Sequence, residues 1–226
     1  MTVFHLTDKI AFPPTHLASE EGLLAVGGDL SRERLLLAYR MGIFPWFSDN
    51  EPILWWSPDP RLVLYPCEIR VSKTLKKIIR KGVFTVTMDS AFDRVIRQCA
   101  QIRLENNQGT WIVEDIIGAY CKLHGSGFAH SVEAWHQGEL AGGLYGVSLG
   151  RCFFGESMFT RISNASNVAF VTLVQYLNNL SFDMIDCQLT TKHLLRFGAR
   201  EIPRFRFLKQ LEESLKAPTK RGKWCF

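Results

Sequence analysis

Apolar residues recur along this chain with two different periods, and the changes of period mark out its elements. Leu35, Leu36, Ala38 and Tyr39 fall on one side of a helix that starts near Ser31 and stops at Gly42. A second helix runs from Ser72 to Gly82, with serine as N-cap and glycine just past the C-terminus. Phe84, Val86 and Met88 alternate, as in a strand. Phe92, Val95, Ile96 and Cys99 then return to helical spacing. Ile116, Ile117, Tyr120 and Leu123 line the apolar side of a further helix over 112–124, ending at Gly125.

The period then becomes two. Strands are expected at 129–136, 139–147 and 151–158, separated by Gln137-Gly138 and Leu149-Gly150, both of hairpin length. A long helix from near Ser163 follows, then a strand at 183–189, a short helix ending at Gly198, a strand at 199–203 and a helix at 205–216. By contrast, the first sixty residues hold prolines, glycines and tryptophans around a single helix, which predicts a shaped loop region with rigid aromatics. The expected organisation is α/β: a small N-terminal domain over 1–62 packed on a larger domain over 63–226 with a mixed sheet.

At 226 residues and 46% hydrophobic, the chain can bury a substantial core. The net charge of +5 favours an anionic partner, but its location matters more than its sum. Cys67, Cys99, Cys121, Cys152, Cys187 and Cys225 form no C-x-x-C and no zinc spacing, which reads as reduced thiols in a cytoplasmic protein with no metal. The opening stretch Met1 to Lys9 has neither a basic n-region nor an apolar h-region, and no run is long enough to span a bilayer. The expectation is therefore no export and no membrane.

Charge is concentrated on the helix after Ser72. Lys73, Lys76, Lys77, Arg80 and Lys81 share one side, with Leu75, Ile78 and Ile79 opposite. Like charges so close repel unless an anion meets them, so this face is either a solvated amphipathic surface or a polyanion site. The other notable charges lie in the sheet. In Met184 to Leu189, period two puts Asp186 and Gln188 on one face, and Glu156 stands at the end of the preceding strand. A carboxylate inside a central strand is costly to bury unpaired. The run Ala141 to Gly146 lies within strands and is no dinucleotide site, and His130, His136 and His193 lack a ligand set and read as structural or surface residues.

From residue 83 onward the order β-α-α-β-β-β-α-β-α-β resembles the GNAT acyltransferase superfamily. Members that use acetyl-CoA carry a glycine-patterned pyrophosphate loop, but Phe159 to Ala165 here lacks it, so another acyl donor is expected. Six strings sharpen the resemblance: Gly22 to Leu30, Gly42 to Phe47, Trp55 to Arg61, Gly109 to Ile112, Phe154 to Phe159 and Ile185 to Gln188. Together they closely resemble the bacterial leucyl/phenylalanyl-tRNA–protein transferases.

The resemblance implies an enzyme that moves Leu or Phe, and weakly Met, from aminoacyl-tRNA to acceptor proteins with N-terminal Arg or Lys, marking them for N-end-rule degradation without a cofactor. It further implies that the basic helix meets the tRNA backbone and that Trp46, Trp111 and Tyr120 flank the 3′-terminal adenosine. Leu144, Phe153, Phe170, Leu173 and Ile185 would form the pocket for the aminoacyl side chain. A monomer is expected.

The aminoacyl ester is already activated, so the task is to place a neutral α-amine against its carbonyl. Gln188 and Asp186 are assigned to orient that amine, and Glu156 to the positive acceptor. Whether Asp186 is a base or an orienting charge stays open. The competing readings are a CoA-dependent N-acetyltransferase of the same fold and a non-catalytic RNA-binding protein.

Overall fold

The computed structural model describes residues 3–106 and 109–225; Met1 and Thr2, read above as part of the opening stretch, lie outside it. Helix α1 (Arg32–Arg40) is capped as expected, with the Ser31 hydroxyl accepting from the Arg34 N–H. Around it stands a four-stranded sheet that hydrophobic periodicity did not predict. It consists of β1 (Phe4–Leu6), β2 (Leu23–Gly27), β3 (Phe44–Pro45) and β4 (Leu54–Trp56), in the order β1-β2-β4-β3. Strands of two to five residues are too short to display a period.

Indole donors and a buried arginine hold this sheet. Trp55 Nε1 donates to the Gly27 carbonyl at 2.9 Å and Trp56 Nε1 to the Trp46 carbonyl at 2.7 Å. The Arg34 side chain is fully buried and reaches Asp29 and the carbonyl of Thr7 at 2.8 Å. Gly28 has φ +74, and a Cβ there would lie 3.1 Å from the Arg34 guanidinium. The glycine leaves room for the arginine and accepts a backbone few other residues adopt.

The chain passes to a seven-stranded sheet at β5 (Arg61–Leu64). The others are β6 (Thr85–Met88), β7 (Ala129–His136), β8 (Glu139–Leu149), β9 (Cys152–Thr160), β10 (Met184–Gln188) and β11 (Arg200–Ile202), in the order β11-β5-β10-β9-β8-β7-β6. Only β9 and β10 pair in parallel, so the sheet is mixed, as expected. The second hairpin turns at Gly150-Arg151, because Leu149 still pairs with Cys152.

Helices α2 (Lys73–Arg80), α3 (Phe92–Glu105), α4 (Glu114–Gly125), α5 (Ala165–Asn179), α6 (Lys192–Arg196) and α7 (Arg204–Leu215) complete the chain. Strand alternation divides the core into two layers. Val63 and Phe154 join α3, α4 and the small sheet in one; Leu62, Leu64 and Phe153 join α5 in the other. Tyr39 and Trp55 of the N-terminal part belong to the same buried cluster as Tyr120 and Phe154, so the two sheets share a core. Among the described residues no helix is long and apolar enough to cross a membrane, and none of the six cysteines is bonded to another.

Candidate active site

The site opens where two parallel strands separate. β9 and β10 pair from Met184 with Cys152 to Asp186 with Phe154, and no further. Beyond that point each strand departs from regular register. Against β8, Tyr145 faces Ser157 and Gly146 faces Gly155, which leaves Glu156 as the extra residue of a bulge. Against β5, Asp186 faces Val63 and Gln188 faces Leu62, which leaves Cys187 extra. Gln188 itself has φ +61. Bulges re-aim side chains, and here they turn Glu156 and Gln188 toward each other across the gap, with Gln188 Nε2 donating to Glu156 Oε1 at 2.8 Å.

Period two had placed Asp186 and Gln188 on one face, but the bulge at Cys187 breaks that period. The Asp186 carboxylate is fully buried and does not line the cleft. Arg61 grips it with both arms of its fork, Nε to Oδ1 at 2.8 Å and Nη2 to Oδ2 at 2.6 Å. Oδ1 also accepts the backbone N–H of Gln188 at 2.9 Å. The guanidinium of Arg61 lies over the rings of Phe44 and Phe207, at 4.8 and 4.7 Å from their centroids. Asp186 therefore touches the gap only through Gln188.

Glu156 is surrounded by donors. Besides Gln188, it accepts from Tyr39 at 2.7 Å and from Tyr120 at 3.2 Å, and because the two tyrosine hydroxyls also contact each other, their two protons are shared among three contacts. Burial pushes its carboxyl up to about 7, against the three hydrogen bonds, which favour the charged form. Burial and the nearby Glu156 charge push the hydroxyls of Tyr39, Tyr120 and Tyr145 well above the ordinary tyrosine value, so all three stay protonated; Tyr39 and Tyr120 donate to Glu156, whereas the Tyr145 hydroxyl has no hydrogen-bond partner among the described residues.

A cleft of about 640 Å³ passes through the gap. Its inner end is walled by Leu144, Phe153, Phe170, Leu173 and Ile185, all five of the residues expected around an apolar side chain. Its outer end meets Trp46 and Trp111, which also line an adjoining cleft of about 980 Å³. Tyr120 differs: it is fully buried beneath Glu156 and presents no ring face to either cleft. It sits in the wall as a donor to Glu156, because the apolar stripe of α4 points into the core. His193, read as structural or surface, lines the inner cleft, whereas His130 is buried against Trp224 and bonded to Asp89 at 2.8 Å. Among the described residues no cluster of His, Cys, Asp and Glu could hold a metal ion.

On α2 and just past its end, Lys73, Lys76, Lys77, Arg80 and Lys81 are all exposed, and among the described residues none of them forms an ion pair. Leu75 is buried, and the helix packs on α5. Sequence reasoning missed Arg61 and Tyr39 as parts of the site. A charged residue opening the apolar run Arg61-Leu62-Val63-Leu64 was the available signal for the first. Tyr39 gave none, since a tyrosine on a helical stripe reads as core.

Two family models match this sequence. One, described as Leucyl/phenylalanyl-tRNA protein transferase, matches residues 63–212; the other, described as the N-terminal domain of that protein, matches residues 28–59. The leucyl/phenylalanyl-tRNA–protein transferase of Syntrophobacter fumaroxidans is 60% identical over 215 residues, covering 95% of this chain and 92% of that one. That of Desulforapulum autotrophicum is 55% identical over 226 residues, covering 100% and 99%.

Two outcomes follow from the site's electrostatics. Asp186→Asn leaves the Arg61 guanidinium buried without its counter-charge, so denaturant unfolding should register a loss of about 3–5 kcal/mol. A loss below about 1 kcal/mol would mean that the pair does not anchor the site. Glu156 contributes the opposite way to most carboxylates. Its folded value, about 7, lies above the ordinary 4.5, so the folded state holds the proton more tightly. Stability should therefore fall as pH rises from about 4.5 to about 7, by no more than about 3 kcal/mol from this group, and level off above. Glu156→Gln should remove that slope, as thermal melts across the range would reveal.

Proposed function

The chain belongs to the leucyl/phenylalanyl-tRNA protein transferase family, and on that premise we propose how its two clefts divide the work of aminoacyl transfer. The family activity moves Leu or Phe from aminoacyl-tRNA to a protein N-terminus. The observation that carries the assignment is that one cleft is lined at once by the apolar Leu144, Phe153, Phe170, Leu173 and Ile185, by Glu156 and Gln188, and by Trp46 and Trp111. A donor whose side chain enters the apolar end and whose adenosine stacks on tryptophan has its ester bond beside Glu156 and Gln188. Stacking a base on an aromatic face is worth roughly 1–3 kcal/mol and holds the donor in ground and transition states alike.

The acceptor's α-amine has an ordinary pKa of about 7.7–8.0, so part of it is neutral near pH 7.5. Gln188 donates its amide N–H to Glu156, which leaves its carbonyl oxygen to accept from the amine and fix the line of attack. Glu156, poised near 7, is matched to take the proton that the amine loses on attack and to return it to the 3′-oxygen of adenosine as that oxygen departs as a hydroxyl. Asp186 becomes a positioning residue that acts through the Gln188 backbone. An acceptor with N-terminal Arg or Lys suits this arrangement, since its positive charge is attracted to the Glu156 carboxylate.

The exposed cations Lys73, Lys76, Lys77, Arg80 and Lys81 suit the acceptor stem. Phosphate contacts give affinity without reading sequence, as an enzyme using several tRNAs requires. A CoA-dependent acetyltransferase is disfavoured by the segment Phe159 to Ala165, which lacks glycine altogether.

Incubation with leucyl-tRNA and a peptide beginning with Arg should add one leucine to the peptide, and RNase pretreatment should abolish the reaction. No product, or product from acetyl-CoA instead, would overturn the reading. Replacing Lys73, Lys77 and Arg80 with Glu should reduce the slope of log affinity for tRNA against log salt by about two to three units. An unchanged slope in salt titrations would move the tRNA elsewhere.

A further inference from the structure

We propose that Arg103 is the phosphate anchor of the donor site, its guanidinium binding the phosphodiester immediately 5′ of the terminal adenosine. The inference rests on the donor reading above and adds a contact to it. Arg103 stands in the last turn of α3, half-buried, where it lines both the inner and the outer cleft. Trp46 and Trp111 are the only other residues lining both among those described.

The neighbouring charges are committed elsewhere. Arg97 lines the outer cleft but is held by Asp93 at 3.0 Å and Glu114 at 2.9 Å. Glu105, two residues beyond Arg103, is taken by Arg161 at 2.5 Å. No hydrogen bond or ion pair holds Arg103 among the described residues. Asp49 and Glu51 also line the outer cleft, and Glu51 accepts the Ser48 N–H at 2.7 Å. Among the described residues Arg103 is therefore the one uncommitted arginine or lysine lining these clefts, beside the two indoles.

A half-buried guanidinium has surrendered part of its hydration without gaining a partner, and a bound anion restores the balance. The indoles identify which anion. A nucleotide whose base stacks on Trp46 or Trp111 carries its own 5′-phosphate one sugar away, within reach of an arginine on the same wall. The planar fork of arginine suits two phosphate oxygens at once, which the point charge of lysine does not.

The test uses two minimal donors, adenosine bearing leucine as a 3′-ester, with and without a 5′-phosphate, and a peptide beginning with Arg. The natural enzyme should favour the phosphorylated donor in kcat/KM by about tenfold or more, as expected of a charge-assisted contact. Arg103→Gln should bring that ratio close to one, and Arg103→Lys should retain part of it. Titration with AMP and adenosine, followed by tryptophan fluorescence, should show the same loss of preference in binding. A ratio equally large in the natural enzyme and in Arg103→Gln would overturn the proposal. So would a natural enzyme indifferent to the phosphate, although leucine transfer would then leave the donor reading standing. Failure of the natural enzyme to transfer leucine from leucyl-tRNA would remove that reading and this inference together.

Discussion

An arginine and an aspartate buried side by side set the geometry on which the rest of this site depends. Arg61 and Asp186 are 1% and 0% exposed at their side chains and meet at 2.6 Å. Such a pair costs desolvation that its Coulomb attraction offsets only when the geometry is good and the spare hydrogen-bonding capacity is used. Here the spare capacity of the carboxylate is used structurally, while Arg61 Nη1 is buried without a hydrogen-bond partner among the described residues. The carboxylate accepts the N–H of Gln188 after the bulge, and the guanidinium lies between Phe44 of the small sheet and Phe207 of the last helix. One interaction ties both sheets and α7 to the strand that carries the site.

From that anchor the chemistry follows by short steps. Gln188, held in a left-handed backbone conformation, extends its amide across the opening between β9 and β10 to Glu156. Tyr39 approaches Glu156 from α1 in the N-terminal part and Tyr120 from α4, so with Gln188 of β10 the carboxylate is fixed by groups from three regions of the chain. The small N-terminal sheet thus supplies more than a wall: it contributes a donor to Glu156, a ring under Arg61 and an indole at the cleft mouth.

Much of this was legible in the sequence. The long helices and the three-stranded meander announce themselves by period, whereas Leu144, Phe153, Phe170, Leu173 and Ile185 were singled out by the family resemblance; period alone marks them as core, and they share one buried layer. The small sheet was not legible, since its strands are shorter than any period and depend on indole hydrogen bonds. The roles of Asp186 and Glu156 were obscured for one reason: pattern reasoning assumes regular pleat, and both strands carry a bulge where function begins. Tyr120 is ambiguous at the level of sequence because a buried donor and a stacking platform leave the same trace there. Arg103, without a hydrogen bond or ion pair among the described residues, became meaningful only once the walls of the clefts were known.

The central claim is that the charge of Asp186 serves the reaction only by fixing Gln188 through the ion pair. Its most direct test compares single-turnover leucine transfer in Asp186→Asn with that in the double variant Asp186→Asn/Arg61→Met. Removing the guanidinium as well abolishes the unpaired buried charge, while the Asn carbonyl can still accept the Gln188 N–H. The double variant should recover most of the rate lost by the single one. A double variant as slow as Asp186→Asn would contradict the account and make the carboxylate itself the group that moves the proton.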